Sequence, residues 1–187
     1  MLLVLDVLAT AEPDLASSPE AGHQPRPVRV VAVQYGMDMK RLNAIDHIIR
    51  PDGWKVPQDC GITQKEADRY GVPIRVPLPH LRAMTDVSVV VVAHGLERVD
   101  AVIQIWRSYC KGTPEWIRPR QMRVCTAALS APLCKLPTPG SMFADHYRMP
   151  SLSEATELLC GEAKTGIDGI MSLYTYLKSR RMLEAAA

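Results

Sequence analysis

The chain has 187 residues, of which 47% are hydrophobic and 22% charged, with a formal net charge of +2. That length suits one well-buried domain and is short for two, and no apolar run approaches the roughly 18 residues that a membrane span requires. A pI near 8.3 lacks the strong basic excess of a dedicated nonspecific DNA binder.

Leu2–Leu5 reads as a short buried strand ending at Asp6, with no basic segment ahead of it to suggest a secretory leader. Residues 11–27 carry Pro13, Pro19, Pro25 and Pro27 among Ala, Ser and Glu, the composition of a loop. Val28–Tyr35 is β-branched and apolar. Leu42–Ile49 is its expected antiparallel partner across a turn at Gly36–Arg41. Arg50-Pro51-Asp52-Gly53 breaks that strand. Thr63 then has the place of an N-cap, with Glu66 three residues on completing a capping box.

A helix over about Leu78–Thr85 precedes Val87–Ala93, the most strand-like segment in the chain. Val99, Val102, Ile103 and Trp106 recur at helical spacing over Val99–Cys110, which puts Trp106 on a buried face. Met122–Thr126 reads as a strand feeding a helix near Ala127–Cys134, and Leu136–Arg148 as a loop. Ser151 and Glu154 form a second capping box, opening a helix that runs to Leu159. The last helix spans about Ile167–Met182, and 183–187 is expected to be a disordered tail. Early hairpin strands followed by alternating helices and strands predict a single α/β domain over 1–187, a mixed five-stranded sheet flanked by helices.

Five cysteines (Cys60, Cys110, Cys125, Cys134 and Cys160) are scattered without a CxxC pair. That pattern suggests reduced thiols in a cytoplasmic setting rather than a disulfide framework or a zinc site.

An ordered series of short segments carries a family resemblance. Leu5-Asp6-Val7-Leu8-Ala9-Thr10 stands where a D-x-E strand is expected, followed by Gln24-Pro25-Arg26 leading into Val28–Val33. Ile49-Arg50-Pro51-Asp52-Gly53-Trp54-Lys55-Val56-Pro57, Gly61-Ile62-Thr63 and Gly71-Val72-Pro73 come next. Val92-Ala93-His94-Gly95, Cys125-Thr126, Pro150-Ser151-Leu152-Ser153-Glu154-Ala155 and Gly161-Glu162 complete the series. In this order and spacing they resemble the DnaQ-like (DEDDh) 3′–5′ exonucleases, which implies an RNase H-like fold.

The resemblance also implies a chemistry: hydrolysis of the terminal phosphodiester between two Mg²⁺ or Mn²⁺ ions held by four acids, with a histidine activating water. Carried over position by position, the first acid is Asp6, and the second falls on Leu8. The third falls on Val99, and the final histidine and acid on Gly161 and Gly166. The nearest alternative acids are Glu97, Asp100 and Asp168. One step along a helix turns a side chain by about 100°, so Asp100 does not simply replace Val99. His94 belongs to the "Ala-His" landmark and reads as a strand-end histidine satisfied by local hydrogen bonds.

Two readings follow. In the first, the domain is a catalytically inactive member, without metal cofactor, that binds weakly to single-stranded nucleic acid or scaffolds a protein partner. In the second, it is an active divergent exonuclease using Mg²⁺ or Mn²⁺ on displaced carboxylates. For nucleic acid, Trp116 beside Arg118, Arg120 and Arg123 is the candidate contact, since arginine with a stacking aromatic suits single strands.

Overall fold

The computed structural model describes residues 1–111, 116–139 and 147–183. Strands β1 (Leu2–Ala9), β2 (Pro27–Tyr35) and β3 (Arg41–Ile48) form an antiparallel meander. Helices α1 (Gln64–Tyr70) and α2 (Pro77–Asp86) lead to β4 (Val90–Ala93), and α3 (Leu96–Tyr109) crosses to β5 (Met122–Cys125). Helices α4 (Thr126–Cys134), α5 (Leu152–Cys160) and α6 (Gly166–Ser179) follow. The sheet order is β3-β2-β1-β4-β5, with β4 and β5 parallel to β1. This is the expected mixed five-stranded sheet with helices on both faces.

β1 is the central strand, which explains its nearly unbroken apolar sequence: both of its faces are covered. Leu3, Leu5, Val7 and Ala9 pack with Leu81, Met84, Val102, Ile103 and Trp106 on the side of α2 and α3. Leu2 and Val4 point the other way, onto Ile170, Tyr174 and Leu177 of α6. The fully buried Trp106 donates its indole N–H to the Ile74 carbonyl at 2.7 Å, as its helical position anticipates. Both capping boxes form, Thr63 with Glu66 and Ser151 with Glu154. Among the described residues no helix is long and apolar enough to cross a membrane.

Four boundaries differ from the expectation by three residues or more, one of them the start of α3, at Leu96 rather than Val99. β1 does not end at Asp6 but runs to Ala9, because Asp6 pairs in register with Val31 and the alternation of buried residues continues through Val7 and Ala9. The strand expected from Val87 begins at Val90. Val87 closes α2, and Val87 and Val89 are exposed, since the β1 ladder reaches only as far as the Leu2–Val90 pair. The final helix ends at Ser179. Leu183, expected in a disordered tail, is buried against the α6 cluster, while 184–187 lie outside the described residues.

Candidate functional site

In a sheet with parallel strands, ligands are taken in the crevice beyond the strands' carboxyl ends. Here β4 ends at Ala93, paired with Leu5, so Asp6 is the first β1 residue past that edge. It lies on the α6 face, continuing the Leu2–Val4 side of the strand by its period of two. His94 follows β4 directly, and Thr126 opens α4 just after β5. The three strand ends thus bring Asp6, His94 and Thr126 to one rim.

His94 is fixed from both sides. Its Nε2 lies 2.9 Å from the Pro150 carbonyl and its Nδ1 lies 3.1 Å from Thr126 Oγ1. A carbonyl can only accept, so Nε2 carries the proton and Nδ1 accepts from the threonine hydroxyl in the neutral ring. Burial pushes the imidazole's pKa down, against smaller upward pulls from the Pro150 carbonyl and Asp6. The neutral tautomer is therefore favoured at neutral pH.

The charged groups that act on Asp6 at neutral pH are arginines. Burial raises its carboxyl above the ordinary value, and the charges that oppose this belong to Arg29 and Arg98, with His94 adding to them only when its ring is protonated. Arg29 stands beside Leu8 in the β1–β2 register and grips Asp46 through two bonds of 2.8 and 2.6 Å. Arg98, on α3, donates from Nε to both Glu12 oxygens at 2.7 and 2.8 Å and from its terminal nitrogen to the Val7 carbonyl at 3.2 Å. The loop before β2 is thereby tied to the central strand.

The degenerate positions separate. Gly166, in the left-handed region at φ +57°, faces Asp6: a Cβ built there would sit 3.8 Å from Asp6 Oδ2. Leu8 is half-buried two residues along the same strand face. Val99 is 2% exposed and belongs to the apolar cluster on the opposite side of the sheet. Gly161 caps α5 in the left-handed conformation, with open space around it.

The alternative acids do not gather at Asp6. Glu97 is exposed on the first turn of α3. Asp100 accepts from the Trp116 indole at 2.6 Å and from Arg123, which turns it toward β5. Asp168 is exposed and lines an open groove between α5 and α6 with Lys164 and Ser172. Among the described residues no three His, Cys, Asp or Glu side chains converge on a position that could hold a metal ion.

The expected nucleic-acid contact needs one correction. Trp116 is not a stacking platform: it is 7% exposed, packed into the α2–α3 cluster and held by Asp100. Arg118 pairs with Asp86 at 2.9 Å and Arg123 with Asp100, while Arg120 is exposed. Sequence reasoning missed Arg29 and Arg98. The available signal was a charged residue inside the apolar run Val28-Arg29-Val30, and an arginine four residues after His94 on the helix that leaves the site.

No protein-family model matches the chain, and no curated protein matches it in sequence. Solved structures do resemble it. Exonuclease I of E. coli in complex with a dT13 oligonucleotide aligns with a TM-score of 0.63 at 14% identity, covering 99% of this chain and 41% of that one. The same enzyme in complex with dA16 aligns with a TM-score of 0.69 at 13% identity, covering 98% and 42%. This chain therefore spans about two fifths of the Exonuclease I chain. The nuclease domain of 3'hExo, a DEDDh family member bound to rAMP, aligns with a TM-score of 0.59 at 14% identity, covering 98% of this chain and 92% of that one. The chain has the RNase H-like fold of these exonucleases.

Proposed function

We propose that the domain is a non-hydrolysing, degenerate form of the exonuclease fold, acting as a binding module rather than as a nuclease. One observation carries the reading: Asp6 faces a glycine across the crevice, with Arg29 and Arg98 as its charged neighbours. Two Mg²⁺ or Mn²⁺ ions need several carboxylate oxygens to offset their charge. Among the described residues no second and third acid converge on Asp6, and a carboxylate set between arginines does not fit that pair. The arginines already partly balance the charge that metals would balance in an active site.

The occupant that the fold favours is single-stranded nucleic acid, as Exonuclease I is seen with dT13 and dA16. Near-neutral charge and internally paired arginines make such binding weak, with dissociation constants on the order of micromolar or weaker at physiological salt.

Two measurements test the proposal together. An end-labelled DNA or RNA strand incubated with the protein and Mg²⁺ or Mn²⁺ is expected to stay at full length. Shortening from the 3′ end that Asp6→Asn abolishes would restore the nuclease reading. Anisotropy of a labelled strand at two salt concentrations is expected to show weak, salt-sensitive binding that Arg118→Glu/Arg120→Glu reduces. Flat traces at both salts would remove nucleic acid and leave a protein-scaffolding module.

A further inference from the structure

The sheet ends on β3 at one side and on the four-residue β5 at the other. β3 is eight residues long, and its C-terminal end is covered: Val72 donates to the Ile48 carbonyl at 2.9 Å and accepts from Arg50 at 2.8 Å. The rest of the edge, from Arg41 to His47, has no neighbouring strand among the described residues. An open edge recruits another strand unless something blunts it. Here the backbone cover is one side chain: Asn43 Oδ1 accepts the Ala44 N–H at 2.9 Å.

The phase of the ladder identifies the outward groups. Ile49 donates to the Val28 carbonyl at 2.8 Å, so Ile45 and His47 also bond toward β2, and Ala44 and Asp46 turn their backbone groups outward. The register slips between Gln34 and Tyr35, so Arg41 opposes Tyr35, while Ala44 opposes Val33 and Asp46 opposes Val31. Arg41, Ala44 and Asp46 therefore stand evenly spaced on one face, a cation and an acid equidistant from a small residue. Arg41 is exposed and makes no ion pair among the described residues, since Asp38 is held by Lys40 and Asp46 by Arg29. The Asp46 side chain is still 53% exposed, and its carboxylate has lone pairs for a second donor.

We propose that a second copy of this chain docks on this edge, β3 against β3, antiparallel about a two-fold axis at Ala44. The two Ala44 residues exchange both backbone hydrogen bonds in place of the Asn43 cover, and Arg41 of each copy lies opposite Asp46 of the other. The contact is isologous, so this ion pair forms twice. An axis at Asp46 would instead set two acids together, and an axis at Arg41 two cations. The chosen register also ends where it must: past Arg41 each chain turns away, Gly36 bonding Lys40, just where Val72 occupies the other copy's edge. The axis is perpendicular to the joined five-stranded sheets, so both Asp6 crevices open on the same side. Docking on this edge is independent of whether Asp6 binds metal.

Sedimentation equilibrium of the full chain from micromolar to millimolar concentration tests this. The mass is expected to rise with concentration from 20.7 kDa toward twice that value. Ala44→Pro spares the β2 ladder, because the N–H it removes points outward, and is expected to stay monomeric. Arg41→Glu sets like charges opposite each other twice and is expected to weaken the dimer by roughly tenfold or more. Hydrogen exchange is expected to show the Asp46 amide gaining protection with concentration in the wild type and not in Ala44→Pro. Melting curves confirm that each variant folds. The proposal is overturned if the wild type stays monomeric at millimolar concentration, if it dimerises without protecting Asp46, or if either folded variant dimerises as tightly as the wild type.

Discussion

Replacing Asp100 with alanine distinguishes a structural carboxylate from a displaced metal ligand. Its side chain is 14% exposed and accepts the Trp116 indole N–H at 2.6 Å, and it also holds Arg123. Deleting the carboxylate strands a buried indole donor, which costs about 1–3 kcal/mol. The Arg123 pair adds no more than about 1 kcal/mol, since solvent screens that arginine, whose side chain is 48% exposed. The expected loss is thus roughly 1–4 kcal/mol, and at about 2–4 °C per kcal/mol for a chain of this size the melting temperature falls by about 2–16 °C. Asp100→Asn retains an acceptor for the indole and loses only charge, so it costs about 1 kcal/mol. Urea unfolding followed by tryptophan fluorescence, with and without Mn²⁺, measures both variants. The reasoning is refuted if Asp100→Ala costs under about 1 kcal/mol, or if Mn²⁺ stabilises the wild type and Asp100→Asn removes that response.

Three further outcomes follow from the site. Burial raises the Asp6 pKa above 3.8, so the folded state holds that proton more tightly, and the stability it brings is lost as pH rises from about 4 through the raised value. Asp6→Asn is therefore expected to match or exceed the wild type in urea midpoint at neutral pH, and to lose any advantage below about pH 4; destabilisation at neutral pH contradicts this. Leu8→Glu/Gly166→Asp sets two new carboxylates beside Asp6 and is expected to cost roughly 2–4 kcal/mol without metal. Mn²⁺ should raise the melting temperature of that variant and not of the wild type; equal shifts would mean that Asp6 already binds the ion. Glu154 is lowered to about 2 by Arg148 and then by its Ser151 capping bonds. Its contribution is present above its ordinary 4.5 and is lost as pH falls toward about 2, so Glu154→Gln is expected to flatten that part of the acid unfolding profile.

What could be read from the sequence was what local chemistry decides. The capping boxes at Thr63 and Ser151 involve residues three apart, and both form. The family resemblance puts the last acid's position at Gly166, and in the structure that glycine lies beside Asp6. Where the reading failed, a distant partner made the decision. The charge of Asp6 looked like the end of a strand, but β2 carries the ladder past it. Trp116, next to arginines in a loop, looked exposed, but Asp100 sixteen residues earlier captures its indole. Arg98 meets Glu12 across 86 positions, and no local pattern encodes that pair.

Those long-range pairs bear on how a nucleic acid would be held. Four arginines nominated by the site or by the sequence are each matched to a carboxylate: Arg29 to Asp46, Arg98 to Glu12, Arg118 to Asp86 and Arg123 to Asp100. A phosphate approaching any of these arginines must displace an acid rather than only water. For the exposed pairs displacement costs about 1 kcal/mol or less, so contact is permitted. Each displaced carboxylate, however, stays nearby and takes up counterions, which reduces the net release that drives binding. The dependence of log Kd on log salt is therefore expected to be shallow, corresponding to about one or two phosphates rather than the six to ten of a dedicated binder. A steep slope would mean that cations outside these pairs, Arg120 among them, form the true contact surface. Charge reversal at Arg120 alone would then remove most of the slope, whereas under the paired arrangement it removes only a part.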